Sequence, residues 1–186
     1  MKFLFSLVLV TGLAAAYPSA FPEPEDYSNK KDCLSDADAK RITDNWLGIF
    51  SGNPGLINTT LSKDITVYDS LINNGNLSAI ATNRQDYYAF VTKFTYPEDG
   101  VIKNAKYTLE GGGLMFHTCD KIAMRYIGHA ESTGKFSAPA GAPITVAVNQ
   151  LLSVNKKKEI NIAWSEYDLF TMLKQVGVIQ NPFGGF

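Results

Sequence analysis

Most of the residues that common chemistries depend on are scarce in this chain. Two cysteines and two histidines occur in 186 residues, and none of them stands at metal-ligand spacing, so the sequence offers no zinc site. No serine sits in a G-x-S-x-G turn, which removes the nucleophile elbow of a hydrolase. The one glycine run, Gly111-Gly112-Gly113, leads into a strand-forming stretch and not a helix, so it does not read as a phosphate-cradling loop. Excess charge is lacking too: 17 Lys and Arg against 18 Asp and Glu give a net charge of -1, which leaves no electrostatic footprint for DNA or RNA. Beyond the first residues no apolar run approaches the length of a bilayer span, so stable membrane insertion is not expected. No cofactor and no metal is indicated.

What is present begins with an export signal. Lys2, the apolar run Phe3 to Leu13 and the small pair Ala14 and Ala16 read as a secretory signal peptide over residues 1–16, which predicts a secreted, extracellular protein. Residues 17–32 carry Pro18, Pro22 and Pro24 without periodicity and read as a flexible arm. The rest, 33–180, is long enough for one domain with a real core, followed by a short tail at 181–186. An oxidising compartment favours a Cys33–Cys119 disulfide, which would tie the start of the first helix to the sheet. Asn58-Thr59-Thr60 and Asn76-Leu77-Ser78 are glycosylation acceptors in an exported chain.

The patterning of 33–180 changes halfway. Ser35 with Asp38 makes a capping-box start, and Ala39, Ile42, Trp46, Ile49 and Phe50 recur at helical spacing. A short helix over 56–61 and a strand over 64–69 follow. Asn83 and Asp86 open another helix, with Tyr87, Phe90, Val91 and Phe94 as its stripe and Pro97 as its stop. From there β-branched and aromatic runs predict strands over 106–118, 122–133, 144–154 and 159–167. Leu169, Met172, Leu173 and Val176, closed by Gly177, predict a final short helix. Helices first and strands later give an α+β class, with helices on one face of a sheet.

Three motifs in this order carry a resemblance: D-I-T-V-Y-D at 64–69, P-A-G-A-P at 139–143, and I-x-I-x-W-x-x-x-D followed by L-K-Q-V-G at 160–177. The chain resembles the cone-shaped superfamily named after nuclear transport factor 2, in its SnoaL-like (polyketide-cyclase-like) branch, and is similar to secreted, uncharacterised fungal members. The resemblance implies a strongly bent antiparallel sheet with about three helices on its concave face, enclosing a pocket. It leaves activity open, because the superfamily holds both enzymes and binding domains. A homodimer is compatible with it.

The same resemblance makes Asp69 a candidate general base at a strand end, as in ketosteroid isomerase, against the plainer role of satisfying turn amides. Where that enzyme supplies a tyrosine from its first helix, this chain offers Trp46 and Asn45. Asp168 is a second candidate acid or base, though its place just before the last helix suits an N-cap. Strand parity keeps His117 and His129 on opposite faces, so they do not form a pair, while His117 is retained as a pocket candidate. The last hairpin puts Asn149, Trp164 and Glu166 on one face. That face is expected to be the concave one, lining the pocket with Trp46, Tyr87 and Phe90. The functional expectation is a secreted domain that binds a small apolar ligand. The alternatives are a cofactor-free cyclase, dehydratase or isomerase using Asp69 or Asp168, and a secreted interaction protein whose pocket is only structural.

Overall fold

Ser35 starts the first helix as its spacing predicts. Its hydroxyl oxygen accepts the Asp38 N–H at 3.1 Å while the Asp38 carboxylate accepts the Ser35 N–H at 3.2 Å, so two orphan donors of the first turn are satisfied reciprocally. The structure is a computed structural model that describes residues 33–69, 73, 76–95, 102–109 and 114–179. The expected signal peptide and arm (1–32), Pro97, the glycine run, the expected tail (181–186) and the Phe94 side chain lie outside the described residues.

Helix α1 (Asp36–Phe50) is followed by a 3-10 turn (Pro54–Leu56), α2 (Ile57–Thr60), and strands β1 (Leu61–Asp69) and β2 (Ala79–Ala81). Next come α3 (Arg84–Thr95), β3 (Ile102–Leu109), β4 (Met115–His117), β5 (Lys121–Ser132), β6 (Pro143–Val154), β7 (Ile160–Tyr167) and α4 (Leu169–Gln175). Asn83 caps α3, its side-chain oxygen accepting the Asp86 N–H at 2.9 Å. The strand expected over 106–118 is two strands, β3 and β4, both on the same neighbour β5.

The sheet runs β2-β1-β7-β6-β5-β3 and does not close. Its pairs are antiparallel except β1 with β7, which is parallel. The sheet is therefore mixed, not antiparallel as expected. Parallel partners need a long crossover, and here α3 and five strands intervene before the chain returns beside β1.

Helices α1 and α3 cover one face. The strand residues that meet them alternate: Ile65, Val67 and Asp69 on β1; Ile122, Met124 and Tyr126 on β5; Val146, Val148, Gln150 and Leu152 on β6; Ala163 and Ser165 on β7, all buried. Against them α1 packs Ile42, Trp46, Ile49 and Phe50, and α3 packs Tyr87 and Val91. The Cys33–Cys119 disulfide is present, with Cα atoms 4.1 Å apart. It joins the chain just before α1 to the β4–β5 turn, where the Leu34 N–H also donates to the Cys119 carbonyl at 2.9 Å. Lys158, in the left-handed region at φ 61°, donates its Nζ to the Cys33 carbonyl and lies 3.5 Å from Asp38. Three ties thus gather at one end of the sheet.

Candidate functional site

The helix-facing interior holds an acid among phenols. Asp69 ends β1 on the core side and is only 4 % exposed, with Ser165 of β7 as its neighbour across the strands. Its charge reaches Tyr87, Tyr126 and Tyr167, and helps raise all three hydroxyls above ordinary phenol values, where burial is the main cause. Burial alone lifts Tyr107 to about 12. All four therefore stay neutral at physiological pH and act as hydrogen-bond donors as well as acceptors.

A polar chain crosses this interior. Both the Tyr126 hydroxyl, at 3.3 Å, and the Ser165 hydroxyl, at 2.9 Å, donate to Gln150 Oε1. Gln150 Nε2 is fixed by the Trp164 carbonyl at 2.6 Å. Above it the aromatic rings interlock. Trp46 stacks on Tyr87 with centroids 6.1 Å apart, and Tyr87 on Phe90 at 6.1 Å. Phe50 meets Tyr107 edge to face, and Tyr107 meets Tyr126 in the same way. Trp46 Nε1 is buried and completes no hydrogen bond with a described residue. It nonetheless approaches the Tyr126 hydroxyl closely enough to favour that phenol's ionised form, against burial. A buried donor left in this state costs about 1–3 kcal/mol unless something else accepts it.

The structure thus brings Asp69, Trp46, Tyr87 and Phe90 to the inside. It does not bring Asn149, Trp164 and Glu166 with them. Strand parity is as the sequence implies, since Asn149 pairs with Glu166 and Leu151 with Trp164, but the face is the opposite one. Gln150 and Ser165 turn toward the helices, and Trp164 turns away, its ring stacked on Tyr68 at 5.7 Å. A large aromatic can hide its area against a neighbouring strand's ring without entering the core, and this one does. On that outer face Asn149, Trp164 and Glu166 line a groove of about 390 Å³ with Leu114, Phe116 and Arg125.

His117 lies at the disulfide end of the sheet. Its Nε2 is 2.8 Å from Asp36 Oδ1 and its Nδ1 3.1 Å from the Thr118 carbonyl. Two acceptors favour the doubly protonated ring, so its pKa is raised, the Asp36 hydrogen bond contributing most. Asp168 stands at the N-cap of α4, its carboxylate accepting the Thr171 N–H at 3.1 Å; the Thr171 side chain first, and this N–H second, hold its pKa below the usual range. Asn58 and Asn76 are both exposed. Among the described residues no three His, Cys, Asp or Glu side chains gather as a metal site, and no helix is long and apolar enough to cross a membrane.

Tyr107, Tyr126, Gln150, Ser165 and Tyr167 escaped the sequence reading. The signal was available: Tyr126 and Gln150 alternate in phase with the buried Ile122, Met124, Val146 and Val148, so period-2 parity places them inward.

The family model for an NTF2-like domain matches residues 32–179. No curated protein matches the chain. Among solved structures, it is similar to a Catenulispora acidiphila protein with a ketosteroid isomerase-like fold, solved in complex with trimethylamine. Identity is 23%, coverage 73% of this chain and 92% of that one, and the TM-score 0.57. It is also similar to a proposed polyketide cyclase from Streptomyces antibioticus, at 17% identity, covering 75% and 98%, TM-score 0.58. A proposed SnoaL-like polyketide cyclase from a Jannaschia species gives 11% identity, 77% and 94% coverage and a TM-score of 0.59. At these identities the likeness is one of fold.

Proposed function

Because the chain belongs to the NTF2-like family, we propose that its interior binds a small, largely apolar molecule carrying one carbonyl or similar acceptor. The observation that supports this reading is Trp46 Nε1, a buried donor that completes no hydrogen bond with a described residue, set near the Tyr126 hydroxyl, which also feels the Asp69 charge. A ligand oxygen there would take the indole N–H, and the Tyr126 O–H once it turns from its 3.3 Å bond to Gln150 Oε1, while the rings of Phe50, Tyr87 and Phe90 would supply the apolar wall.

The buried carboxylate favours a second reading on the same site, a cofactor-free proton transfer of the isomerase, cyclase or dehydratase kind. Asp69 would accept a proton beside the bound carbonyl, and Tyr126 and Trp46 would stabilise the developing oxyanion. These donors come from β5 and from the indole of α1, where a ketosteroid isomerase uses a helix tyrosine. Export at residues 1–16 and glycans at Asn58 and Asn76 complete the proposal. The disulfide and the exposure of both asparagines support them.

Native mass spectrometry of the chain purified from culture medium tests it. The expected result is a co-purifying low-mass apolar compound whose retention falls on Trp46→Phe. With a carbonyl compound in hand, Asp69→Asn should leave binding in place and stop any turnover. Ligand-free protein from every host, with no binding of apolar carbonyl probes, would refute the reading.

A further inference from the structure

The outer face of the sheet carries two parallel rows of different chemistry. In the first, Phe116 pairs with Ala123, Ala123 with Leu151 and Leu151 with Trp164. This row crosses four strands, β4-β5-β6-β7, with an aromatic ring at each end and smaller side chains between. Strands about 4.8 Å apart put the two end positions about 14 Å from each other. Tyr68 stacks on the Trp164 indole from the β1 side, at 5.7 Å and 7°, and so holds it as a wall. The second row lies two residues along the same strands, about 6.8 Å away. There Arg125 pairs with Asn149 and Asn149 with Glu166, and all three are exposed. Phe116 is 70% exposed. Both rows line the one groove of about 390 Å³, a volume in the range of small-ligand sites.

We propose that this groove binds a neutral, β-linked oligosaccharide of gluco configuration, with a ring face on Trp164 and one hydroxyl edge on the polar row. Such a sugar ring has two faces of C–H groups and a rim of equatorial hydroxyls. It fits where a flat aromatic wall stands beside a line of planar donors and acceptors, and the two rows are arranged in that way. Arg125 only donates, the Glu166 carboxylate only accepts and Asn149 does both, so the row matches hydroxyls, which also do both. A β-linked chain is extended and flat, and one chain can therefore span the distance from Trp164 to Phe116.

The charges of the polar row narrow the class further. A cation and an anion flank a neutral amide, so a ligand of either net charge loses at one end what it gains at the other. A wholly apolar occupant would bury the same three polar groups without partners, which is unfavourable. The groove acts independently of any ligand in the interior, because inward and outward residues alternate along these strands.

Isothermal titration calorimetry of the full chain with cellotriose tests the proposal, with trigalacturonate as the anionic control. Wild type should bind cellotriose with a Kd of about 0.1–1 mM and trigalacturonate at least about 10-fold more weakly. Trp164→Ala should weaken cellotriose binding at least about 10-fold, and Trp164→Tyr should recover most of it. Asn149→Ala should weaken it about 5-fold. Asn149 is exposed, so this variant keeps the test sound if loss of the Tyr68–Trp164 stack disturbs the fold, and unchanged circular dichroism would show each variant intact. Wild type that binds no cellotriose overturns the proposal, and uptake of an apolar dye on this face would then assign it to an apolar partner. Binding that survives both Trp164→Ala and Asn149→Ala overturns it by placing the sugar elsewhere, and equal affinity for trigalacturonate overturns the neutral ligand class.

Discussion

Gly128→Ala should destabilise the protein through one aromatic ring. Gly128 lies in β5 between Tyr107 of β3 and Val146 of β6, and the Tyr107 ring lies across it. A methyl group built there would stand 2.6 and 2.9 Å from two Tyr107 ring carbons and 2.9 Å from Val146 Cγ1. Contacts this short force something to move, and overpacking of this kind costs about 1–3 kcal/mol. The ring that must move has edge contacts to Phe50 at 5.9 Å and to Tyr126 at 5.8 Å, each worth about 0.5–1.5 kcal/mol. Replacing a strand glycine returns about 0.5–1 kcal/mol of backbone entropy, so the net loss should be about 2 kcal/mol. Urea denaturation at neutral pH would read this as a midpoint lower by about 1 M. In a Tyr107→Leu background the same substitution should lose most of its effect. An unchanged or raised midpoint would refute the reasoning, and a full penalty in the Tyr107→Leu background would shift the cause to Val146.

Two further outcomes concern titrating groups. Asp168→Ala should cost about 1 kcal/mol as a lost N-cap of α4, with Asp168→Asn close to wild type. Because the folded pKa of Asp168 is depressed, its contribution is present above the unfolded carboxylate value and is lost as pH falls through the folded one. A midpoint-versus-pH curve for the alanine variant should therefore be flatter on the acid side. His117 has the reverse sign: its folded pKa is raised by Asp36, so its contribution is full below the unfolded imidazole value and disappears as pH rises through the folded one. His117→Ala should lower the melting temperature at acidic pH, much less at alkaline pH, and the difference should shrink in salt, because Asp36 is exposed.

Local signals were readable in the sequence and long-range ones were not. The Ser35–Asp38 capping box, the Asn83 start and the Asp168 cap each depend on residues within one turn, and each stands where its spacing puts it. The boundaries of β5, β6 and β7 came within a residue or two for the same reason. The parallel pairing of β1 with β7 was hidden because nothing local encodes which distant strand becomes a neighbour. Parity along the last hairpin was legible, but parity divides residues into two sets without saying which set faces in. The face bearing Asn149, Trp164 and Glu166 is the outer one, and not the concave one expected. The deciding feature was collective: Val146, Val148 and Leu152 of β6 alternate with Asn149 and Leu151, and they carry Gln150 inward with them. Asp69 was legible as a strand-end acid, while the phenols that feel its charge come from β5, β7 and α3 and meet only through the fold.

The ties at the disulfide end have a kinetic consequence. The Cys33–Cys119 bridge, the Leu34 amide and the Lys158 ammonium all fasten the first turn of α1 to the sheet within a few residues. Asp69, Ser165 and α4 lie toward the opposite end, where α4 and its flanks are held by hydrogen bonds, from Gln175 to the Thr145 backbone, from the Ala138 N–H to Val176 and from Ser137 to Gly177, with no covalent bridge. Thermal opening of such a molecule is lopsided, like a book held at its spine. Amides near Leu34 and Cys119 exchange with solvent only when the whole domain unfolds, and those around the α4 end exchange through smaller, faster excursions.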